Sequence, residues 1–391
     1  MKAKSQLNII ITKIIIIAFL LTTNAFGQIG KCQPGIQGKS PKRIAWFVST
    51  SGTPFWKTVE KIIKSSAKDL GVTLEVYFSY DPINHIKKVK EILNRKDNPI
   101  EGVLFHNHKH RGEEVLKIVE KKGIPTIMFN AGFSSSNSVG KPRENYKCLI
   151  GTMFPNDEKA GYQLALALLS EAKKYPTMIH DDKIHMVALE GDRASNVSTL
   201  RIQGMKRALI EWEQNGDNPK VVLHQSFHSK WRRNLASIAF KLTQSRYPKV
   251  SVFWTAADVM ALGVVDAAKE LGKIPGKDFV TGGMDLLPMT LEHLEDGTIT
   301  ASVGAHYIEG AFALIALYDY LNGYDFDTVG KTEFLTNMAV RIGKSKQPYV
   351  TNENIIKQRL DSIDFASLSN TRIGQTTPYS LDTQAILNKL W

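Results

Sequence analysis

Residues 43–56 read RIAWFVSTSGTPFW, and the change of character inside this stretch decides the fold. Residues 43–48 form a short, almost continuously apolar run, as in a strand buried on both faces of a parallel sheet. Residues 49–56 change to small and hydroxyl-bearing side chains, a proline and two aromatics, the pattern of a loop leading into a helix. Val59, Ile62, Ile63, Ala67 and Leu70 then recur at helical spacing as one apolar stripe.

The same alternation continues outward. A strand is expected at 73–78, a helix carrying Ile83, Ile86, Val89 and Leu93, and strands at 102–105 and 125–129 around a helix through Val115, Leu116 and Val119. The pattern then restarts with a helix over 157–170. Strands follow at 184–189, 221–224, 250–254 and 279–282, with helices at 200–212 and 258–271 between them. Repeated strand–helix units favour an α/β fold, because each crossover must cover a face of a parallel sheet. Two rounds within 391 residues imply two similar lobes. Ligands of such sheets bind beyond the carboxyl ends of the strands, so those ends are where chemistry is sought.

The N-terminus has a different composition. Lys2, Lys4 and Lys13 precede an apolar run over 14–21, and Ala25 and Gly27 follow. This describes a secretory signal peptide over 1–27, with cleavage near Gln28, and the run is too short to span a bilayer. Export allows the two cysteines, Cys32 and Cys148, to form one disulfide; two buried free thiols are the alternative. The net charge of +12 comes from lysines and arginines interleaved with acids on many helices, which reads as solvated faces and not as a nucleic-acid surface. No nucleophile elbow, phosphate loop or His-Glu-x-x-His helix occurs, so the residues give no enzyme signature. His106, His108 and His110 alternate in HNHKH, which fits either a solvated loop or one face of imidazoles able to meet a transition metal. No carboxylate or cysteine completes an obvious metal set there.

Phe55 and Trp56 are open to two readings: core packing under the helix, or a wall for the apolar face of a sugar ring. Here the strand–TPFW–helix order resembles the first sugar-contacting loop of the ribose- and galactose-binding family, type I periplasmic solute-binding proteins of ABC importers. The family's usual asparagine is Thr53 in this chain. GIPTIMFN at 123–130 resembles a strand ending in a ligand-binding aspartate, here Asn130, with Ala131 in place of an arginine. Asn107 closes GVLFHN where the family often has a polar contact. Arg201 in LRIQGM matches an arginine reaching into the cleft. ADVMA at 257–261 resembles the family's Asn-Asp-Glu-Met-Ala segment, with Ala257 for the asparagine. Asp285 in TGGMD and His306 in ASVGAHY fall at or beside further contacts.

The resemblance covers 42–343 and implies two Rossmann-like lobes joined by a three-stranded hinge, with crossings near Gly151, His306 and Leu335. The first lobe would comprise 42–150 and 307–335, the second 151–306 and 336–365, leaving a tail at 366–391 unassigned. It implies a ligand set of Thr53, Phe55, Trp56, Asn107, Asn130, Arg201, Asp285 and His306, with no cofactor and no catalysis. The expected protein is a monomeric periplasmic sugar or polyol binder that serves a membrane permease. The alternative is a receptor that signals to a membrane histidine kinase or chemoreceptor.

Overall fold

The computed structural model describes residues 32–35, 41–50, 52–133, 138–344, 352–375, 378–379 and 381–390. The proposed signal peptide lies outside these residues. The first round runs β1 (Arg43–Val48), α1 (Pro54–Leu70), β2 (Thr73–Phe78), α2 (Pro82–Leu93), β3 (Gly102–Phe105), α3 (Gly112–Lys122), β4 (Thr126–Phe129) and β5 (Leu149–Pro155). The second runs α4 (Asp157–Ala172), β6 (Ile179–His180), β7 (Lys183–Glu190), α5 (Asn196–Gln214), β8 (Lys220–His228), α6 (Arg233–Arg246), β9 (Val252–Thr255), α7 (Asp258–Glu270), β10 (Val280–Asp285), α8 (Pro288–Glu295) and β11 (Ala301–Gly304). After α9 (Glu309–Leu321) come β12 (Glu333–Thr336), β13 (Ala339–Ile342), α10 (Glu353–Asp361), α11 (Asn370–Ile373) and α12 (Thr383–Leu390).

The first sheet has the order β12-β5-β4-β3-β1-β2 and is parallel throughout. The second has β13-β11-β10-β9-β7-β6 with β8 also paired to β7; only β13 and β6 run antiparallel to their neighbours. Each sheet reverses its direction of winding once, between β1 and β3 in the first and between β7 and β9 in the second. The crevices at the carboxyl ends of those strand pairs are the binding positions such sheets offer.

Local signals fix the elements. Thr53 caps α1 by accepting from the Trp56 amide at 3.4 Å, Pro54 opens the helix, and Gly71, at φ 67°, ends it. In α2 the apolar stripe is rotated from its expected phase: Ile83 is 65% exposed, while His85 is buried beside Ile86 and Val89. Asp81 caps this helix through the Asn84 amide, and Ile83 and Asn84 beside the cap are exposed. Helix α9 is buried on every face, with a carboxyl-bearing residue near each end, Glu309 and Asp319.

Several boundaries differ from those expected. Strand β5 continues in the first sheet to Pro155, so the first crossing is at 155–157, beyond Gly151. The others are at 304–306 and 336–339, between β11 and the turn at 306–308 and between β12 and β13. Of the segment 336–365 expected in the second lobe, only β13 joins the second sheet. Leu360, Ile363 and Phe365 instead pack in the apolar cluster of Ile44, Ile62 and Leu317, where they cover α1 and α9. The tail belongs there too: Ile386, Leu387 and Leu390 are buried in that cluster. Buried Asp319 accepts hydrogen bonds from Ser369 Oγ, the amides of Asn370 and Thr371, and Tyr379 Oη. Cys32 and Cys148 are joined as a disulfide with Cα atoms 5.1 Å apart, which ties the N-terminal segment to the start of β5.

Candidate functional site

The carboxyl ends of the strands from both sheets enclose a cavity of about 400 Å³. All eight residues expected to meet a ligand line it: Thr53, Phe55, Trp56, Asn107, Asn130, Arg201, Asp285 and His306. They do not all have the same freedom to do so.

Phe55 and Trp56 are half-buried at the first turn of α1, where both readings of them hold in part. Phe55 stacks on His306 with centroids 4.7 Å apart, and Trp56 stacks on His106 at the same distance. Trp56 also meets Trp46 and Phe129, so one side of the pair continues the core while the other faces the cavity. Thr53 uses its hydroxyl as the helix cap. Asn107 has both ends of its amide engaged: Nδ2 donates to the Gly132 carbonyl and Oδ1 accepts from the Gly112 amide, each at 2.9 Å. It clasps the loop after β4 and so is a positioning residue. Asn130, held at φ 68°, makes no side-chain hydrogen bond among the described residues and remains available.

Arg201 forms the floor. Its Nε donates to Asp157 Oδ1 at 2.7 Å, Nη1 to the Ala256 carbonyl at 2.6 Å, and Nη2 lies 3.2 Å from His306 Nε2. Asp285 Oδ1 is 3.7 Å from Nη1. A guanidinium only donates, so His306 Nε2 accepts and its proton sits on Nδ1, a buried atom without a partner among the described residues. Burial, then the charge of Arg201, holds His306 well below its usual pKa, so the ring is neutral. Burial pushes Asp285 well above the carboxylate range, with Arg201 opposing it, and raises Asp157 to about 6 against the same opposition. Three of the five guanidinium N–H groups are engaged with protein hydrogen-bond acceptors; the remaining two can meet a ligand oxygen.

The second lobe contributes an indole to the same lining, Trp231, on the loop after β8. Lys230 and Trp231 both have left-handed backbones, at φ 50° and 60°, which swing the indole over Gly191. A Cβ at Gly191 would sit 2.0 Å from the indole ring, so only glycine allows this crossing. The guanidinium of Arg201 is 5.8 Å from the Trp231 ring centre. The lobes touch directly at the mouth, where Asn196 Nδ2 donates to the Phe133 carbonyl at 3.2 Å.

The sequence of the chain over 44–325 matches the model of the periplasmic binding protein domain. The chain belongs to the periplasmic binding protein family. It is 24% identical over 254 residues to the galactofuranose-binding protein YtfQ of Escherichia coli (strain K12), covering 63% of this chain and 72% of that one. A periplasmic sugar-binding protein from Pseudomonas fluorescens superposes with a TM-score of 0.75 at 26% identity, over 88% of this chain and 99% of that chain. An ABC transporter periplasmic solute-binding protein from Actinobacillus succinogenes 130z, with bound D-allose, shares the fold at a TM-score of 0.63 and 18% identity, over 78% and 98% of the two chains. The two α/β lobes are those of the type I periplasmic binding proteins, and the chain is a binding protein rather than an enzyme.

In this periplasmic binding protein the histidine cluster is composed differently from the expected 106/108/110 set. His110 is exposed, at φ 62°, on the far side of a kinked turn. His85 takes its place, with ring centres 5.5 Å from His108, which is 5.8 Å from His106. Burial lowers the pKa of all three, that of His85 to about 4. Among the described residues no group of three His, Cys, Asp or Glu is arranged to hold a metal. Trp231, Tyr80 and Asp192 are lining residues absent from the expected set. Asp192 and Trp231 do follow β7 and β8, the one signal that could have found them.

Proposed function

We propose that the chain is the exported, periplasmic solute-binding component of an ABC importer, and that it binds a sugar between its lobes for delivery to a membrane permease. The observation that carries this reading is the joint lining of one cavity by aromatic walls and a polar floor drawn from both sheets. Its volume, about 400 Å³, lies in the range of small-molecule sites. Trp56 and Trp231 suit the apolar faces of a sugar ring. Arg201, Asn130 and the neutral His306 offer donors to hydroxyl oxygens, and Asp285 offers an acceptor. The names of the similar proteins support sugar as the class. No observation favours the signalling alternative.

Titration calorimetry against a panel of monosaccharides tests the reading, with Trp231→Ala beside the parent. Trp231 stands on a loop, half-buried against the edge of the second-lobe core, so its loss is expected to weaken binding at least about tenfold while the protein still melts as a folded species. Normal sugar binding by a folded Trp231→Ala protein would move the site elsewhere.

A further inference from the structure

Four cationic side chains line the cavity, Lys109, Arg201, Lys230 and Arg232, against two carboxylates, Asp192 and Asp285. The inner pair, Arg201 and Asp285, is buried, and Arg201 has Asp157 as its close partner. Asp192 closes its own turn, Oδ1 accepting from the Ala194 amide at 3.0 Å. The three remaining cations have no ion pair and no side-chain hydrogen bond among the described residues. Lys109 Nζ merely rests 4.5 Å from the centre of the Tyr80 ring.

Those three cations line one cavity from both sides of the cleft: Lys109 comes from the first lobe, Lys230 and Arg232 from the second. The loops that carry them match in one respect. Lys109 and His110 are consecutive left-handed residues, as are Lys230 and Trp231. Helices α1, α5, α6 and α7 also direct their N-termini at the cavity, since Thr53, Ser195, Arg232 and Ala257 both precede them and line it. The last three of these helices have no side-chain cap, so the positive ends of their dipoles add to the cations. With a neutral ligand, three like charges stay gathered around the cavity with Asp192 as the one unburied carboxylate among them. An anion placed between them reverses the sign of that interaction.

We infer that the ligand is an acidic sugar, bearing a carboxylate or phosphate, whose charged group is held at the cleft mouth between Lys109 and the Lys230–Arg232 pair. This rests on the sugar-binding reading above and narrows it.

The test is calorimetry with matched probes: D-galactose and D-glucose against D-galacturonate, D-glucuronate and the two hexose 6-phosphates, with inorganic phosphate alone. The acidic member of a matched set is expected to bind at least about tenfold tighter than the neutral one, the effect of one charge-assisted hydrogen bond. The gap should narrow from about 0.01 M to about 1 M salt, as the screening length falls from roughly 30 Å to roughly 3 Å. It should also shrink toward parity in Lys230→Gln combined with Arg232→Gln, with thermal melts confirming the fold. Neutral sugars binding as tightly as acidic ones would overturn this inference and leave the sugar reading standing. Inorganic phosphate binding as tightly as the acidic sugars would overturn it as well, since charge alone would then suffice. Failure of every sugar, neutral and acidic, would remove the sugar reading itself and this inference with it.

Discussion

Replacing Arg201 by methionine keeps an unbranched aliphatic stem and removes the guanidinium with its charge, and the loss is expected to fall first on the fold. Arg201 is 2% exposed and its hydrogen bonds reach Asp157, the Ala256 carbonyl and His306. Asp157 is itself buried, and its carboxylate has no other hydrogen bond among the described residues. Removing one partner of a buried pair typically costs about 3–5 kcal/mol, because the other charge is left without compensation. The lower end applies here. Burial already raises Asp157 to about 6, Arg201 opposes that rise, and without Arg201 the carboxyl moves further up and takes a proton near neutrality. Urea unfolding at pH 7 should therefore show a loss of roughly 3 kcal/mol for Arg201→Met. The double variant with Asp157→Asn should recover a large part of it, since no charge is then stranded. A loss below about 1 kcal/mol, or two single losses that simply add in the double variant, would refute the claim that Arg201 and Asp157 stabilise each other. Any fall in ligand affinity on replacing Arg201 must be read against this effect, and Trp231→Ala is the cleaner probe of binding.

Breaking the Cys32–Cys148 bridge with a double serine variant should lower stability by about 2–5 kcal/mol in urea, given the 116-residue separation it closes; a change under about 0.5 kcal/mol would mean the bridge does not restrain the unfolded chain. His85, lowered from 6.5 to about 4 by burial and then by His108, binds its proton more readily unfolded than folded. Its contribution is thus intact above about pH 6.5 and is lost as pH falls toward 4, by up to about 3 kcal/mol, so His85→Asn should flatten the acid limb of the urea-midpoint curve. An acid limb of unchanged steepness would show that other groups carry it. Asn196→Ala should enlarge the ligand-free radius of gyration in small-angle scattering and weaken ligand binding by up to about tenfold, the value of one neutral hydrogen bond; identical profiles and affinities would show that the Phe133 contact does not hold the mouth.

Most strand ends were legible because short apolar runs and helical stripes are local signals. The loop at 53–56 shows this well: its cap, its proline and its two aromatics are adjacent in sequence and adjacent at the cavity. What could not be read depends on distant partners. Trp231 faces the cleft because it crosses Gly191, forty residues earlier, and because two left-handed residues turn it inward. Asn107 looks like a ligand amide until Gly112 and Gly132 are seen to occupy both its ends. His85 was hidden by helix phase: Ile83 fits the apolar stripe on spacing alone, yet it stands exposed beside the helix cap. The tail has no local signature either, since its docking depends on Asp319, fifty to sixty residues away from the groups it accepts from.

The two ends of the interface between the lobes differ in physical character, and this sets how the cleft moves. Near the crossings the apolar cluster is continuous: Phe312 and Leu314 of α9 belong to the same cluster as Leu286, Leu287, Leu291 and Leu294 of the second lobe. Tyr307 Oη donates to the Leu286 carbonyl at 3.2 Å, and the Asn156 amide donates to Thr336 across two neighbouring crossings. Each buried aliphatic side chain there contributes roughly 1.5–3 kcal/mol, so that end stays together in any state of the protein. At the mouth, Asn196 to Phe133 is a neutral hydrogen bond worth about 0.5–1.5 kcal/mol, set against three cations whose mutual repulsion favours separation. Rotation about the segments at 155–157, 304–306 and 336–339, parting the lobes at the mouth, is the motion that this difference favours. A ligand that meets both Trp56 and Trp231 contacts both lobes only when they are closed, and that difference in contact is what shifts the population. If its charged group also sits between Lys109 and Lys230, the same cations whose like charge opposes closure become the contacts that keep the filled cleft shut.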